Sequence, residues 1–287
     1  MKKFKIWLEA ARPKTLPVSV AGVVAASACA VADGCFHLER AVLCLFFAVL
    51  AQIASNFANE YYDFRAGLDR RGREGPRRGV TEGDISPQAM LVATYVTLAC
   101  ASAVGLSLLV WGGWWLLAVG MFVVAGALAY STGPYPLSHH GLGEVTVILF
   151  FGIIPVCCTY AIMAGDVTQM VATISVAIGI AGANVLVVNN FRDIDDDRAV
   201  GKHTLAVIIG RRATLYLYAA NWIIVALLLV AADATCAPIA TVVMLTGLCV
   251  WNYMRTHTGR ALNPALGLTA LITLLMALAM FLIPVLR

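Results

Sequence analysis

QMVATISVAIGIAGANVLVVNNFRDIDDD, residues 169–197, joins a long apolar segment directly to a cluster of acids. The apolar part covers residues 169–190, and about 20 such residues are enough for a helix to cross the hydrocarbon core of a bilayer. Carboxylates at the end of a membrane helix are costly to place there and usually mark a functional site. The segment therefore predicts a helical membrane protein with a site at one end of its helices.

The rest of the chain has the composition of a protein that crosses a membrane several times. Of its 287 residues, 61% are hydrophobic and 13% are charged, whereas a soluble domain has about 25% charged residues. Lipid excludes unpaired backbone, and a β-barrel would alternate apolar and polar residues. We therefore predict an all-α polytopic bundle in a single domain, residues 1–287. About nine transmembrane helices are expected, over residues 16–33, 41–60, 88–110, 114–131, 144–164, 169–190, 213–232, 236–254 and 265–285.

The basic residues predict the orientation of the bundle. Eighteen of the 20 Lys and Arg residues lie before the first apolar segment or in the loops after the second, sixth and eighth, and only Arg40 and Arg287 fall on the other side. Cytoplasmic loops carry an excess of Lys and Arg, so we expect the N-terminus in the cytoplasm. This topology accounts for the net charge of +4, and no nucleic-acid partner is expected.

A second acidic cluster follows the second apolar segment and resembles the first. Asn189, Asp193 and Asp197 are spaced four apart and share one helix face, whereas Asp195 and Asp196 point off this stripe. Asn59 and Asp63 repeat the spacing; Gly67 is expected to end that helix and let Asp69 fold back toward it. Four apolar segments separate the clusters, which indicates a four-helix pseudo-repeat and one site built from two halves.

The side chains of the two clusters are suited to magnesium. Amide and carboxylate oxygens are hard ligands that Mg²⁺ prefers, and neither stripe contains the thiolate or imidazole groups typical of zinc sites. Basic residues follow each cluster at a similar distance, in GPRRG, residues 75–79, and GKHTL, residues 201–205. Arg78 and Lys202 are candidates to bind the remaining oxygens of an anionic ligand. Alternatively, the acids pair with neighbouring arginines at a polar helix end: Arg65, Arg192 and Arg198.

These segments resemble the UbiA-type membrane prenyltransferase superfamily along nearly the whole chain. The two signatures of that superfamily correspond here to NEYYDFRAGLD, residues 59–69, and DIDDD, residues 193–197. The last acid of the first signature is displaced to Asp69, which is similar to the branch that prenylates 1,4-dihydroxy-2-naphthoate. Glu60 departs from the superfamily, which usually has Asp there. Other matching stretches are RPKTLP at 12–17, GPRRG at 75–79, GLGE at 141–144, and NNFRD at 189–193.

The resemblance implies a Mg²⁺-dependent enzyme of the cytoplasmic membrane whose active site faces the cytoplasm. Its expected substrates are a polyprenyl diphosphate and 1,4-dihydroxy-2-naphthoate, and the prenyl group replaces the carboxylate of the acceptor, giving demethylmenaquinol and then demethylmenaquinone. Asp63 and Asp193 are the expected catalytic residues. The expected metal ligands are Asn59, Asp63, Asp69, Asp193 and Asp197, and the expected diphosphate-binding residues are Arg78, Arg192 and Lys202. Candidates for the acceptor pocket are Arg12 or Lys14 for the carboxylate, Glu144 for a hydroxyl, and Tyr130 as an aromatic face.

Three other interpretations are considered. Another aromatic acceptor such as 4-hydroxybenzoate depends on a pocket shape that the sequence does not give. A CDP-alcohol phosphotransferase would need one dense Asp-x-x-Asp-Gly-x-x-Ala-Arg motif, which the sequence lacks. An ion-coupled transporter would place its charges near the bilayer midplane, whereas these acids lie at the ends of apolar segments.

Overall fold

The computed structural model describes residues 2–72 and 74–286 as a bundle of helices. Arg73 and Arg287, which contribute to the predicted charge distribution, lie outside the described residues, as does Met1. Among the described residues, ten helices contain nine residues or more: α1 Lys2–Ala10, α2 Leu16–Ala32, α3 Leu38–Arg65, α4 Pro87–Ser107, α5 Trp115–Ala129, α6 Gly143–Ala164, α7 Gln169–Ala199, α8 Leu205–Ala232, α9 Ala237–Thr256 and α10 Asn263–Ala279. Shorter helical turns lie at Gly79–Glu82, Leu109–Gly112, Leu137–His139, Ala234–Cys236, Gly259–Leu262, Met280–Leu282 and Ile283–Leu286.

Each predicted apolar segment coincides with one helix from α2 to α10. Within the described ranges, seven helical segments are long and apolar enough to cross a membrane. The apolar helices α2 and α5 are shorter, with 17 and 15 residues. At about 1.5 Å per residue these two are shorter than the roughly 30 Å hydrocarbon core of a bilayer.

Helices α3 and α7 continue beyond their apolar segments and carry the two acidic clusters. α3 contains Asn59 and Asp63, and α7 contains Asn189, Asp193 and Asp197 on one face. The predicted end of the first helix is confirmed, because α3 stops just before Gly67, which has a φ of 71°. The backbone N–H of Leu68 donates to the carbonyl of Asp63 at 2.9 Å, which turns the chain back toward the cluster.

A close helix crossing fixes α6 against α7. A π-helical turn occupies Ile148–Ile153 within α6, and a Cβ atom on Gly152 would lie only 2.3 Å from the Cα atom of Gly179 on α7. Such an approach of two backbones requires glycine at the crossing. It holds the start of α6, with Glu144, beside the end of α7.

α7 is the most buried of the candidate spans. Of its most apolar stretch, 72% is buried, against 22% to 44% for the others. It packs in a core with α2, α8 and α10 that contains the fully buried Tyr218 and Trp222. The amphipathic helix α1 packs elsewhere, with the ring of Trp7 centred 5.6 Å from that of Phe57 on α3. The second acidic cluster therefore lies on the most constrained helix of the bundle.

Candidate active site

A cavity of about 1110 Å³ reaches from Asn59 and the second acidic cluster into the apolar interior. Asp63 and Asp69 line a small separate cavity of about 20 Å³, which shares Asp197 and Lys202 with the large one. The polar end of the large cavity is formed by residues from both halves of the chain: Arg12, Lys14, Asn59, Arg78, Asn189, Arg192, Asp193, Asp197 and Lys202. Its other end is apolar and is lined by Val23, Cys44, Phe47, Leu108, Leu116, Phe150 and Ile162. One continuous cavity therefore joins a charged site to a space suited to a long hydrocarbon chain.

Asn59 is the centre of the first cluster. Its Oδ1 atom accepts hydrogen bonds from the guanidinium groups of Arg12 and Arg78, the latter at 2.9 Å. Its Nδ2 atom donates to Ser131 at 3.1 Å and to Asp63 at 3.3 Å. Arg12 has a φ of 55° and is the one non-glycine residue with a positive φ in the part of the chain that the structure describes. Strained backbone of this kind occurs often at functional sites, and here it accompanies a guanidinium group placed in the cluster.

Asp63 is buried among basic groups from distant segments. Its carboxylate lies 3.4 Å from Nζ of Lys202, 3.3 Å from Nε2 of His139 and 4.0 Å from Nη2 of Arg78. Asp69, brought back by the turn after α3, lies 3.4 Å from Nε of Arg78. Lys202 follows the second cluster in the sequence, so its contact with Asp63 connects the two halves of the site.

The second cluster is organised by a neighbour on its own helix. Arg192 donates from Nε and Nη2 to the two carboxylate oxygens of Asp193, at 2.7 and 2.8 Å. It also donates to Asn189 at 2.7 Å and to Asn263 at 2.9 Å. These bonds use four of the five N–H donors of a guanidinium group. Arg192 therefore positions Asp193 and Asn189 and keeps few donors for a diphosphate. Asp197 receives a longer contact, 3.5 Å, from the hydroxyl of Thr204.

Two of the three acids outside the stripes bind loops, and the third pairs with a helix. Glu60 is buried and accepts the backbone N–H of Val80 at 3.0 Å, which holds the loop that carries Arg78. Asp196 accepts the N–H of Glu74 at 3.0 Å and pairs with Arg70. Asp195 is exposed and pairs with Arg211 at 2.7 Å. Glu60 and Asp196 thus support the site from outside it, whereas Asp195 lies at the surface.

Three functional contacts were not predicted from the sequence. His139 bonds Asp63, Ser131 bonds Asn59, and Asn263 bonds Arg192. His139 is held in place because its carbonyl accepts the N–H of His203 at 3.0 Å. None of the three belongs to a repeated spacing in the sequence. The one feature of the sequence that could have pointed to them is their position in loops beside apolar segments. Many other polar residues have the same position, so it does not distinguish these three.

The acceptor candidates lie in different parts of the site. Lys14 and Tyr130 line the cavity, and Arg12 lies on Asn59. Glu144 is buried, and its Oε1 accepts a 2.9 Å hydrogen bond from Asn190, which lines the cavity. Glu144 therefore reaches the cavity wall through Asn190.

The donor chemistry fits a magnesium–diphosphate ligand. Within residues 2–72 and 74–286, no three His, Cys, Asp or Glu side chains are grouped closely enough to hold a metal ion, because Arg78, Lys202 and Arg192 lie among the acids. The oxygens of both stripes are nevertheless hard donors that suit Mg²⁺. Nη1 of Arg78 is buried and has no hydrogen-bond partner among the described residues, so it can donate to a ligand oxygen.

Comparisons with known proteins identify the family of the chain. The model of the UbiA prenyltransferase family matches residues 19–266. The 1,4-dihydroxy-2-naphthoate octaprenyltransferase of Haemophilus influenzae is 35% identical over 219 residues, which are 73% of this chain and 70% of that protein. The protein with the same name in Mycobacterium tuberculosis is 38% identical over 218 residues, 76% of this chain and 74% of that protein.

The fold has a matching solved structure. A UbiA homolog from Archaeoglobus fulgidus, bound to DMAPP and Mg²⁺, superposes with a TM-score of 0.69 over 96% of this chain and 99% of that protein, at 15% identity. A likeness at that identity concerns the fold alone. The chain belongs to the UbiA prenyltransferase family, and the resemblance found in its sequence is confirmed.

Proposed function

We propose that the protein transfers a polyprenyl group from polyprenyl diphosphate to 1,4-dihydroxy-2-naphthoate. Carbon dioxide and diphosphate are released, and the product is demethylmenaquinol, which oxidises to demethylmenaquinone. The observation that carries the proposal is the single cavity with acids and cations at one end and apolar side chains at the other. The names of the relatives that match most of this chain support the choice of acceptor.

The polar end of the cavity binds the diphosphate in this proposal. Arg78 and Lys202 supply N–H donors to its oxygens, and their charge stabilises the negative charge that grows as the C–O bond breaks. Asn59, Asp63, Asp69, Asp193 and Asp197 would hold Mg²⁺, which supplies further charge neutralisation and is present in the Archaeoglobus homolog. Asn59 Oδ1 is shared by two guanidinium groups, so it would hold a metal only in place of one of them.

The apolar part of the cavity binds the polyprenyl chain and excludes water from the allylic cation. The ring carbon that carries the acceptor carboxylate forms the new C–C bond. The bond to the carboxylate then breaks, and its electron pair restores the aromatic ring as CO₂ leaves. This balance requires no base at the ring carbon. Lys14 and Tyr130 line the cavity and contact the acceptor. Glu144 positions Asn190, which faces the acceptor from the cavity wall.

The topology of the enzyme is part of the proposal. Nine apolar helices, α2 to α10, form the membrane domain, and residues 1–287 constitute one prenyltransferase domain. The excess of Lys and Arg beside the two acidic clusters supports a cytoplasmic N-terminus and an active site that faces the cytoplasm. The positions of these clusters on α3 and α7 support a four-helix pseudo-repeat. In a bacterium the corresponding bilayer would be the cytoplasmic membrane.

One assay tests the reaction and its acceptor. Purified protein is incubated with Mg²⁺ and a polyprenyl diphosphate, together with either 1,4-dihydroxy-2-naphthoate or 4-hydroxybenzoate, and the products are identified by mass. We expect the decarboxylated prenyl naphthoquinol and loss of activity in excess EDTA. Product from 4-hydroxybenzoate alone would overturn the proposed acceptor, and full activity in EDTA would overturn the metal requirement.

A further inference from the structure

Two polar oxygens on the cavity wall have no protein partner. Ser19 on α2 and Gln52 on α3 both line the cavity, and their residues are only 2% and 8% exposed. Oγ of Ser19 and Oε1 of Gln52 make no hydrogen bond within the described part of the chain. A buried polar oxygen without a partner lowers stability, because it has lost its hydrogen bonds to water. Their position beside a cavity indicates that a ligand supplies the missing bonds.

The orientation of the Gln52 amide is fixed by Thr15. Nε2 of Gln52 donates to the carbonyl of Thr15 at 3.3 Å and contacts the Thr15 hydroxyl at 3.2 Å. A carbonyl only accepts hydrogen bonds, so the nitrogen must face Thr15 and the oxygen must face away from it. Ser19 lies one turn after Thr15 on the same face of the chain. The two unpartnered oxygens therefore belong to one region of the wall.

This region lies between the diphosphate-binding end and the apolar end of the cavity. At Gln52 the cavity-lining residues of α3 change from polar to apolar. Asn59 is two turns further along α3 than Gln52, about 10 Å along the helix axis. Beyond Gln52, in the other direction, the cavity-lining residues of α3 are Ala51, Ala48, Phe47 and Cys44, all apolar. On the α2 and α3 sides of the wall, Ser19 and Gln52 are thus the last polar side chains before the space for the hydrocarbon chain.

A direct connection joins this region to the cationic end. Thr15, which orients Gln52, donates from its N–H and its hydroxyl to the carbonyl of Arg12, both at 3.0 Å. Arg12 is the residue with the strained backbone, and its guanidinium lies on Asn59. One turn of the chain therefore presents a cationic group for a carboxylate and, through Gln52, an acceptor for a hydroxyl.

We propose that Ser19 and Gln52 form a subsite that binds the ring hydroxyl of the aromatic acceptor farthest from its carboxylate. The inference rests on the proposed function. The carboxylate of the acceptor faces Arg12 and Lys14, and the ring places its 4-hydroxyl two ring positions away, toward Gln52. Because Oε1 of Gln52 only accepts hydrogen bonds, the group bound there must be a donor, which the 4-hydroxyl is. The subsite therefore selects the dihydroxy acid over acids with a single hydroxyl beside the carboxylate.

The test uses Gln52→Met and Ser19→Ala with three ligands. Met has a size similar to Gln but offers no strong acceptor, and Ala removes the hydroxyl. Ser27→Ala is the matched control, because Ser27 is buried on the same helix and its hydroxyl already donates to Val23 at 2.8 Å. The KM is measured for 1,4-dihydroxy-2-naphthoate and for the polyprenyl diphosphate. The inhibition constant is measured for 1-hydroxy-2-naphthoate, which lacks the 4-hydroxyl.

We expect Gln52→Met to raise the KM of the dihydroxy acid about tenfold, the effect of losing one hydrogen bond of about 1.4 kcal/mol, and Ser19→Ala to raise it in the same direction. The KM of the diphosphate and the inhibition constant of the monohydroxy acid should stay within about twofold, as should all values for Ser27→Ala. An unchanged acceptor KM, or an equal loss for both naphthoates, would overturn the subsite.

Equilibrium binding of the dihydroxy acid separates this inference from the proposed reaction. If the wild-type protein binds the acid but forms no product, the proposed function is wrong, and binding by Gln52→Met still decides the subsite. Binding about tenfold weaker than wild type supports it, and equal binding overturns it.

Discussion

The two acidic clusters have the same arrangement in the sequence but are held in different ways. Asp63 in the first is contacted by Arg78, Lys202 and His139, which come from separate loops. Asp193 in the second is held by Arg192, the preceding residue on the same helix. The first half is thus assembled from distant segments, whereas the second is largely set by one helix.

This difference indicates a division of roles between the halves. The second cluster lies on α7, the most buried candidate span, and the donors of Arg192 are nearly all used within the protein. It is therefore preorganised. The cationic side chains around Asp63 retain unused N–H donors, including Nη1 of Arg78, which has no partner among the described residues. These donors can form hydrogen bonds with an arriving diphosphate. The comparison predicts that mutations in the first half affect catalysis and those in the second also affect stability.

The largest effect is expected from removing the central carboxylate of either half. Asp63→Ala and Asp193→Ala should each lower the rate of prenyl transfer by about 10³-fold or more, because each removes charge that positions the metal and the diphosphate. Transfer is measured with saturating polyprenyl diphosphate and 1,4-dihydroxy-2-naphthoate. Asp195→Ala is the control, because Asp195 is exposed and lies off the stripe; near wild-type turnover by either test variant would refute the metal-binding role.

Smaller and different effects are expected when Arg192 and Arg78 are each replaced by lysine. Arg192→Lys should lower the apparent melting temperature of the purified protein, because a lysine cannot make the paired bonds to Asp193 and the contacts to Asn189 and Asn263 together. The free energy of unfolding should fall by about 2 kcal/mol. Arg78→Lys should instead raise the KM of the polyprenyl diphosphate about tenfold, with a smaller change in melting temperature.

Melting curves and steady-state kinetics on both arginine variants check this contrast. If Arg192→Lys changed the KM of the diphosphate and left the melting temperature intact, Arg192 would bind the ligand directly. The two halves would then be alike, and the proposed division of roles would be wrong.

The sequence predicted the helices well because apolar length and helical spacing are local properties. The predicted segments coincide with helices α2 to α10, and the turn at Gly67 brings Asp69 back to Arg78. The residues that bond the acids of the site could not be predicted in this way, because they depend on which helices pack together. His139 and Asn263 are single polar residues without a repeated spacing, and Arg192 could be recognised as a positioning residue only once its four bonds were known.

Replacing His139, which contacts the first acidic cluster, should have an effect of intermediate size on prenyl transfer. His139→Ala removes the 3.3 Å contact to Asp63, and we expect prenyl transfer to fall about five- to tenfold, the range for one hydrogen bond of about 1 kcal/mol. His257→Ala is a suitable control, because the His257 ring stacks on Tyr253 and bonds the carbonyl of Tyr253. Equal activity of the two variants would show that the contact with Asp63 has no part in the reaction.

The smallest effect is expected at Glu60, where the chain departs from its superfamily. Glu60 accepts the N–H of Val80 at 3.0 Å and thereby holds the loop that carries Arg78. Glu60→Gln keeps an oxygen for this bond, so prenyl transfer should stay within about threefold of wild type. Glu60→Ala leaves the N–H of Val80 unpaired and should lower the melting temperature, with a cost of about 1–3 kcal/mol. If Glu60 were instead a metal ligand, Glu60→Gln would lose activity to the extent that Asp63→Ala does, and adding Mg²⁺ would partly restore it.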